Sequence, residues 1–337
     1  MDQEILKTKS QAADMSYQAL IEQQLARMGR QEFIRKYGAA ILLAVLFVYN
    51  AIFTNNFLTV QTMFNLVVQS SPMMIVALGM TFVIATKGID ISVGASMAMG
   101  GMVTSISMFN IGLVPGIILG VITASMIGVA NGVSVAYFGV QPIIVTLAMM
   151  IGARGLAQML TPGGLFFFPA SEPLTKLAIF FIGPLPVQFV YLVVFFVVFA
   201  FIAFKTSFGR HIEAIGDNLQ ASRLCGIKTE RNLVLVYTMS AALAGFAGIL
   251  VSARTAACDG YSIGAGIEMD AIACVVIGGT SLMGGKPQVI GTVIGAFIMQ
   301  VIYSMVIMNN LSYDWAMVVK ALVIILAVVI QRERSRT

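Results

Sequence analysis

Ten apolar runs, each long enough to cross a lipid bilayer, constrain this chain more than any other feature of its sequence. A hydrocarbon core of about 30 Å requires about 20 residues of helix, with a range of about 17 to 25. The runs lie at 38–56, 64–86, 90–110, 113–137, 142–160, 187–204, 233–253, 268–285, 288–309 and 313–330. The weakest are 38–56, which contains Asn50, and the glycine-interrupted pair 268–285 and 288–309, so a count of eight or nine stays open. The sequence predicts an all-α integral membrane protein with about ten transmembrane helices.

The composition agrees with this class of protein. Hydrophobic residues make up 58% of the 337 residues and charged residues 10%, with a mean hydropathy of +0.92. Soluble domains are about 45 to 50% apolar and about 25% charged. The net charge of +5 does not indicate nucleic acid as a partner, because the basic residues lie between the apolar runs, where orientation in the membrane explains them. Membrane lipid is the expected partner of the apolar surface.

The lysines and arginines predict the orientation of the chain, because short cytoplasmic loops are enriched in both. With ten spans and both termini in the cytoplasm, all but four of the 20 fall on the cytoplasmic side; the exceptions are Arg154, Lys176, Arg254 and Lys320. Segments 64–160 and 233–330 would then each hold four spans in opposite directions. That arrangement is typical of the inverted repeats of transporters.

The remaining segments divide the chain into three parts. Residues 1–37 are expected to be a cytoplasmic N-terminal arm, since they are charged throughout and lack the compact apolar core of a signal peptide. Their apolar spacing allows either an amphipathic helix or a mobile arm. Residues 38–331 form the predicted transmembrane domain, which includes the polar loop 205–231, and residues 332–337 form a basic cytoplasmic tail.

No catalytic or metal-binding pattern is visible in the sequence. His211 is the only histidine, and the three cysteines are too far apart for a Cys-x-x-Cys site: Cys225, Cys258 and Cys274. The glycines before Lys286 do not fit a phosphate-binding loop, because Thr280 stands in place of the first glycine and Pro287 in place of the final hydroxyl residue. The chain is therefore not expected to be an enzyme, to hydrolyse ATP or to hold a metal or cofactor.

Four segments carry a more specific signal. The first reads Gly88-Ile89-Asp90-Ile91-Ser92-Val93-Gly94, and the second is the polar loop from Lys205 to Ile227. The third reads Glu268-Met269-Asp270-Ala271-Ile272-Ala273-Cys274-Val275-Val276-Ile277-Gly278-Gly279-Thr280-Ser281-Leu282-Met283-Gly284-Gly285. The fourth is Asn131-Gly132 followed by Gln141-Pro142-Ile143-Ile144-Val145-Thr146-Leu147.

Together these segments resemble the membrane permeases of ribose-type (monosaccharide) ATP-binding-cassette importers. The resemblance spans roughly residues 40–330. Two departures from the family pattern stand out: Asp217-Asn218-Leu219 replaces the usual Gly-Asn-Pro, and Ala148 replaces a glycine. The first departure puts the geometry of the helix start in the polar loop in question.

The resemblance implies a permease subunit in a bacterial cytoplasmic (inner) membrane that imports a neutral monosaccharide by alternating access. ATP and Mg would be used by a separate cytoplasmic ABC ATPase, and a periplasmic or surface sugar-binding protein would deliver the sugar. A second permease copy or a paralogue would complete the core. Loop 205–231 would be the coupling loop that docks on the ATPase.

Seven residues of this coupling loop match the family and are the expected ATPase-coupling residues: Gly209, Glu213, Ala214, Gly216, Asn218, Arg223 and Gly226. A short helix is predicted from Asn218 to Leu224. Asn218 is a residue type that caps helix N-termini, and Gly226 is the residue type that most often follows a helix C-terminus.

A second set of residues is expected to line the path or to support the structure: Asp90, Ser92, Gly94, Asn131, Thr146, Arg154, Gly278, Gly279, Gly284 and Gly285. Asp90 either lines the path or caps a helix that begins at Ile91. Arg154 lies in an apolar run with no adjacent acid, so it either serves the path or extends to the outer surface.

A third set is expected at the outer surface. Glu268 and Asp270 open the eighth span, where they either complement the helix dipole or contact the sugar-binding protein. Phe166 and Phe167 lie in the apolar outer loop 161–188, and they pack either on the protein itself or on the delivery protein.

Two other functions stay open at this point. A related permease for nucleosides or branched-chain amino acids would share the same organisation, and the ligand of the delivery protein would separate it. An ion-coupled secondary transporter would bury acids near the middle of the membrane, whereas the acids here lie at the ends of the spans.

Overall fold

The computed structural model describes residues 37–161, 164–169 and 172–331. The predicted basic tail and, except for Tyr37, the predicted N-terminal arm lie outside the described residues. The helices within the described part are α1 (Tyr37–Phe53), α2 (Val60–Ala85), α3 (Val93–Ile111), α4 (Leu113–Ala136), α5 (Pro142–Met159), α6 (Pro173–Ile179), α7 (Val187–Lys205), α8 (Ser207–Asp217), α9 (Leu219–Leu224), α10 (Thr229–Thr255), α11 (Ile267–Ile277), α12 (Val289–Met308) and α13 (Tyr313–Gln331).

Four two-residue strands form two small antiparallel sheets. β1 (Phe166–Phe167) pairs with β4 (Ala257–Cys258), and β2 (Phe181–Ile182) pairs with β3 (Leu185–Pro186). The predicted outer loop 161–188 thus contains three of these strands and the short helix α6. Its described residues form a folded cover over one end of the helices rather than a linker.

Six of the described helices are long and apolar enough to cross a membrane: α2, α4, α5, α7, α10 and α12. The prediction of an all-α integral membrane protein is therefore confirmed. Helix α1 is a shorter apolar helix, and α3 and α13 contain 19 residues each. The count of ten spans and the side of each terminus stay predictions.

The span predicted over 268–285 is wrong. Helix α11 has 11 residues and ends at Ile277, which at about 1.5 Å per residue gives about 16 Å, too short to cross the hydrocarbon core. Gly279, Gly284 and Gly285 then have φ angles of 94°, 83° and 103°, a region that glycine adopts without steric cost. The second part of the apolar run is a turn that leads back into α12.

The packing relates two halves of the chain. Helix α2 packs on α11 and α12, and helix α10 packs in the same way on α3 and α4. The contacts of α3 with α4 and α5 have counterparts in those of α11 with α12 and α13. Gly79 lies against Ser240 and Gly88 against Tyr237, so α2 and α10 run antiparallel. This is the neighbour pattern that an inverted repeat predicts.

The core is centred on α2 and α10. Every residue of α2 from Ser70 to Ala85 is buried. Glycines allow the backbones to approach closely, as where Gly100 lies against Gly245, which is typical of helix packing in membranes. Exposed apolar side chains cover the outer faces of α4, α5 and α7, where lipid contact is expected.

Candidate functional site

An open cavity of about 610 Å³ enters the bundle at the end opposite α8 and α9. Its walls are formed by α2, α10, α11, α12, α13 and the segment 259–266, which we call the re-entrant segment. The polar side chains that line it are Thr62, Asn65, Gln69, Arg254, Ser262, Asp270, Gln300, Tyr303, Ser304 and Lys320. Small-molecule sites commonly have volumes of about 300 to 1,000 Å³. The cavity therefore has the size and the hydrogen-bonding groups for a small polar ligand.

Two hydrogen bonds join α2 to α12, one in the cavity wall and one away from the cavity. In the cavity wall, Gln300 Nε2 donates to Gln69 Oε1 at 3.0 Å. Away from the cavity, the hydroxyls of Thr81 and Thr292 are 2.8 Å apart and fully buried. The glutamine pair keeps an amide nitrogen and an amide oxygen free for further hydrogen bonds, since each amide has two donors and one acceptor oxygen.

An ion pair also lines the cavity. Lys320 Nζ is 3.1 and 2.9 Å from the two carboxylate oxygens of Asp270, and it lies 5.7 Å from the centre of the Tyr303 ring. The side chains of Lys320 and Asp270 are 11% and 29% exposed, respectively. Asp270 thus joins α11 to α13, and its role as a binding-protein contact stays a prediction.

The re-entrant segment descends into the bundle between β4 and α11. Gly260 lies against the backbone of Ala157, near the end of α5, whereas Gly264 lies against Gly94, at the start of α3. Non-helical backbone at membrane depth is found where it is buried in protein or lines a cavity. Helix α11 therefore begins inside the bundle, as the discontinuous helices of transporters do.

Arg154 supplies the hydrogen bonds that this non-helical backbone needs. Its Nη1 donates to the carbonyls of three residues of the re-entrant segment, at 3.2, 3.1 and 2.9 Å: Gly260, Tyr261 and Ile263. Asp259 and Glu268 lie close enough to interact electrostatically with Arg154. The side chain is half-buried and does not line the cavity. These contacts fit the supporting alternative, and the role of Arg154 stays a prediction.

Asp259 fixes the start of the re-entrant segment. Its two carboxylate oxygens accept hydrogen bonds from the backbone N–H groups of Tyr261 at 2.8 Å and Ser262 at 3.1 Å. Burial alone would raise the pKa of the Asp259 carboxyl. The hydrogen bonds and the positive charge of Arg154 outweigh this effect, so the pKa lies below its ordinary value.

Gly94 and Glu268 meet at the base of the re-entrant segment. A Cβ atom at position 94 would overlap the Gly264 carbonyl and lie 2.7 Å from Glu268 Oε2. Glu268 Oε2 is buried without a hydrogen-bond partner among the described residues. One carboxylate oxygen of the half-buried Glu268 therefore lies inside the bundle, and its contact with a binding protein stays a prediction.

Four other predicted path residues form a buried network away from the cavity. Asp90 Oδ1 accepts hydrogen bonds from the backbone N–H of Ser92 at 3.0 Å and from its hydroxyl at 2.6 Å. Asn131 Nδ2 donates to Ser92 Oγ at 2.7 Å, and Thr146 Oγ1 donates to the Ile89 carbonyl at 3.2 Å. This network joins the turn before α3 to α4 and α5. Helix α3 begins at Val93 rather than at Ile91, so Asp90 stabilises the turn that precedes the helix.

The predicted short helix in the coupling loop is confirmed as α9. Asn218 is its N-cap, and Asn218 Oδ1 accepts a hydrogen bond from the Ala221 N–H at 3.0 Å. After the helix, Gly226 has a φ angle of 81°. Arg223 pairs with Glu230 at 2.6 Å, and the Leu224 side chain is 90% exposed. The departure from the family pattern at Asp217-Asn218-Leu219 therefore leaves a capped helix.

Two glycines among the predicted coupling residues, both on α8, are buried, unlike the others. Gly209 and Gly216 are buried, and a Cβ atom at either would overlap backbone atoms. Glu213 and Ala214 are half-buried on α8, while Asn218, Arg223 and Gly226 are exposed. The buried Gly209 and Gly216 therefore serve packing, whereas the other five present at least part of their surface to a partner.

The remaining predicted residues lie in turns and in the cover. Gly278 packs against Gly291 on α12. Phe166 lies 6.1 Å from the Phe109 ring, centre to centre, and is half-buried, whereas Phe167 is 70% exposed. Phe166 thus packs partly on the protein itself, and the predicted contact of Phe167 with a delivery protein stays a prediction.

Of the polar residues that line the cavity, the sequence singled out Asp270 as a site residue but not the amides. Asn65, Gln69 and Gln300 are amides within apolar helices, and that polarity is the signal in the sequence that points to them. Which of the polar residues in the spans share one cavity depends on the packing of α2 against α12.

A bundle of long apolar helices around a polar cavity, with a discontinuous helix in its wall, defines the class of membrane transport proteins. The chain belongs to the family described as "Branched-chain amino acid transport system / permease component", whose pattern matches residues 62–328.

Curated relatives agree with this assignment. The chain is 36% identical over 317 residues to the ribose import permease protein RbsC of Escherichia coli (strain K12), which covers 91% of this chain and 98% of the relative. It is 36% identical over 272 residues to the galactofuranose transporter permease protein YtfT of Escherichia coli (strain K12), covering 79% of this chain and 78% of the relative. It is 38% identical over 269 residues to the fructose import permease protein FruF of Bifidobacterium longum (strain NCC 2705), covering 78% and 75%.

No solved structure was found to match the chain. All three relatives are named as permeases. The expectation that this chain is a transport subunit and not an enzyme is therefore confirmed.

Proposed function

We propose that the chain is the permease subunit of an ATP-binding-cassette importer and that it carries a neutral monosaccharide through the cavity by alternating access. The relatives named for ribose, galactofuranose and fructose support this substrate class. Because the chain belongs to a bacterial permease family, we place it in the cytoplasmic (inner) membrane, with α8 and α9 on the cytoplasmic side.

The chemistry of the cavity supports an uncharged polyol as the ligand. Sugar hydroxyls donate and accept hydrogen bonds, and the amides of Asn65, Gln69 and Gln300 do the same. The charges of Lys320 and Asp270 compensate each other within 3.1 Å, so Arg254 is the one cation of the lining without a counter-ion among the described residues. The single observation that carries the proposal is the Gln69–Gln300 pair, which places neutral donors and acceptors in the wall between two spanning helices.

The opposite end of the bundle supports the proposed partner. The capped helix α9 presents Leu224 and Arg223 on an exposed tip, which is suited to a groove on a cytoplasmic ATPase. That ATPase would bind and hydrolyse ATP with Mg. A sugar-binding protein would dock at the cavity mouth, and a second permease copy or a paralogue would complete the transport core.

Uptake of radiolabelled sugars by cells that depend on this permease tests the proposal. The wild-type chain should restore uptake of a neutral monosaccharide but not of leucine or a nucleoside. Gln300→Leu should lower that uptake about tenfold at equal membrane abundance, since one lost hydrogen bond of about 1.4 kcal/mol changes an affinity by that factor. Gln141→Leu removes an exposed amide outside the cavity and should transport like the wild type.

Two results would contradict the proposal. Uptake of leucine or a nucleoside without uptake of any monosaccharide would assign a different substrate class. Transport by the purified chain that follows an ion gradient and persists without an ATPase would assign an ion-coupled mechanism. Purification from the native membrane, followed by mass spectrometry of co-eluting proteins, identifies the ATPase directly.

A further inference from the structure

Three segments meet at the end of the bundle that carries α8 and α9. They are the turn after α2 at Lys87, the end of α8 at Gly216 and Asp217, and the glycine turn Gly284-Gly285 between α11 and α12; we call their meeting point the junction. The Gly285 N–H donates to the Ala85 carbonyl at 2.9 Å. Lys87 Nζ donates to the Asp217 carbonyl at 3.1 Å. The junction thus bonds α2 both to α8 and to the glycine turn.

The backbones at the junction are in direct contact. A Cβ atom at Gly216 would overlap both the Ala85 carbonyl and the Gly285 nitrogen. A Cβ atom at Gly284 would lie 2.6 Å from Lys87 Cγ and 2.8 Å from the Gly216 carbonyl oxygen. Because no side chain separates the backbone of α8 from the backbones of these two turns, α8 cannot shift without displacing both turns.

Lys87 stands out within the junction because of its backbone. Its φ angle is 63°, a left-handed conformation that glycine adopts readily and other residues rarely do. Its ammonium group lies at the C-terminal end of α8, where a cation interacts favourably with the helix dipole. Lys87 therefore gives this turn a side-chain hydrogen bond to α8, which a glycine at the same position would lack.

The junction links both halves of the inverted packing pattern to one element. Helix α2 belongs to the first half, the Gly284-Gly285 turn belongs to the second, and α8 lies between the halves in the chain. Tightly packed elements move together rather than deform. A displacement of α8 is thus passed to α2 and to the α11–α12 turn at the same time.

We infer that Lys87 is a positioning residue that transmits movement of α8 and α9 to both halves of the transport bundle. The inference rests on the proposed function, in which an ATPase drives that movement. It assigns to Lys87 no contact with sugar or with ATP. Its bond to Asp217 instead keeps α8 and α2 in register through the transport cycle.

The test uses the complete importer, with its co-purifying ATPase and binding protein, reconstituted in proteoliposomes. Sugar uptake and ATP hydrolysis are measured on the same sample. Lys87→Gly keeps the left-handed turn and removes the side-chain bond, so thermal stability should be retained while sugar transported per ATP falls about fivefold or more. Lys87→Arg should restore most of the ratio, because a guanidinium also donates to a carbonyl.

Lys286→Met is the matched control. Lys286 is an exposed cation next to Gly285, and its side chain has no hydrogen bond or ion pair within the described part of the chain. This variant should keep the wild-type ratio of sugar to ATP. A Lys87→Gly variant with the wild-type ratio would overturn the inference alone. A wild-type chain that transports without any ATPase would overturn the proposed function and this inference with it.

Discussion

Lys320 on α13 donates to both carboxylate oxygens of Asp270 on α11, at 2.9 and 3.1 Å, and so joins the discontinuous helix to the last helix of the bundle. Helix α11 begins inside the bundle, next to the re-entrant segment. Since a half-helix has fewer contacts than a spanning helix, this ion pair is an important part of its attachment. It also leaves no net charge on this part of the cavity wall.

We expect removal of one partner of this pair to destabilise the protein more than removal of both. Asp270→Leu leaves Lys320 largely buried without its counter-ion. Breaking a fully buried pair costs about 3 to 5 kcal/mol, and the partial exposure of Asp270 reduces the expected cost to about 1 to 3 kcal/mol. The double variant Asp270→Leu/Lys320→Met should recover most of this loss. Thermal unfolding in detergent measures both; costs that simply add would contradict the prediction.

The re-entrant segment should lose its protection when Arg154 is replaced by methionine. Three carbonyls then lose their donor. Those of Gly260 and Ile263 belong to buried residues, and an unpaired buried polar group costs about 1 to 3 kcal/mol, whereas water can replace the donor at the exposed Tyr261. We expect amide hydrogen exchange in 259–266 to accelerate about tenfold or more. Arg254→Met serves as the control, because Arg254 makes no hydrogen bond or ion pair in the described structure. Equal exchange in the wild type and Arg154→Met would show that packing alone holds the segment.

Replacing either of two helical glycines with alanine should change the stability of the protein in opposite directions. Gly94→Ala places a Cβ atom against the Gly264 carbonyl, and overpacking of this kind costs about 1 to 3 kcal/mol. Gly155→Ala on α5 meets no atom within 4 Å and should stabilise the helix by about 0.5 to 1 kcal/mol. Thermal midpoints of the two purified variants compare them directly. A neutral Gly94→Ala would mean that the re-entrant segment can move away from α3.

The turn before α3 should depend on the hydrogen bonds that Asp90 accepts rather than on its charge. Asp90→Ala leaves the N–H and the hydroxyl of Ser92 without their acceptor, which we expect to cost about 2 to 3 kcal/mol. Asp90→Asn retains an oxygen at the same place and should cost less than half as much. Chemical unfolding of both variants in detergent provides the comparison. An asparagine variant as unstable as the alanine variant would assign the effect to the charge.

Local features of this protein could be predicted from its sequence. The apolar runs predict the spanning helices, because hydropathy over about 20 residues reports the cost of placing a segment in lipid. The helix α9 was predicted from its capping residue Asn218 and from Gly226, since caps act between neighbouring residues. In both cases the determining interactions lie within one segment or between that segment and lipid.

Only the tertiary structure decided how these segments form a site. Within the apolar run 268–285, hydropathy does not distinguish helix from a buried glycine turn, so the end of α11 at Ile277 could not be read from it. Gln69 and Gln300 are 231 positions apart, and Arg154 reaches residues more than 100 positions away. Which polar groups meet depends on the rotation and contact of packed helices. The sequence by itself determined a polytopic permease with the capped helix α9. The packing of α2, α11 and α12 determined the cavity, because its polar groups find their partners only across different helices.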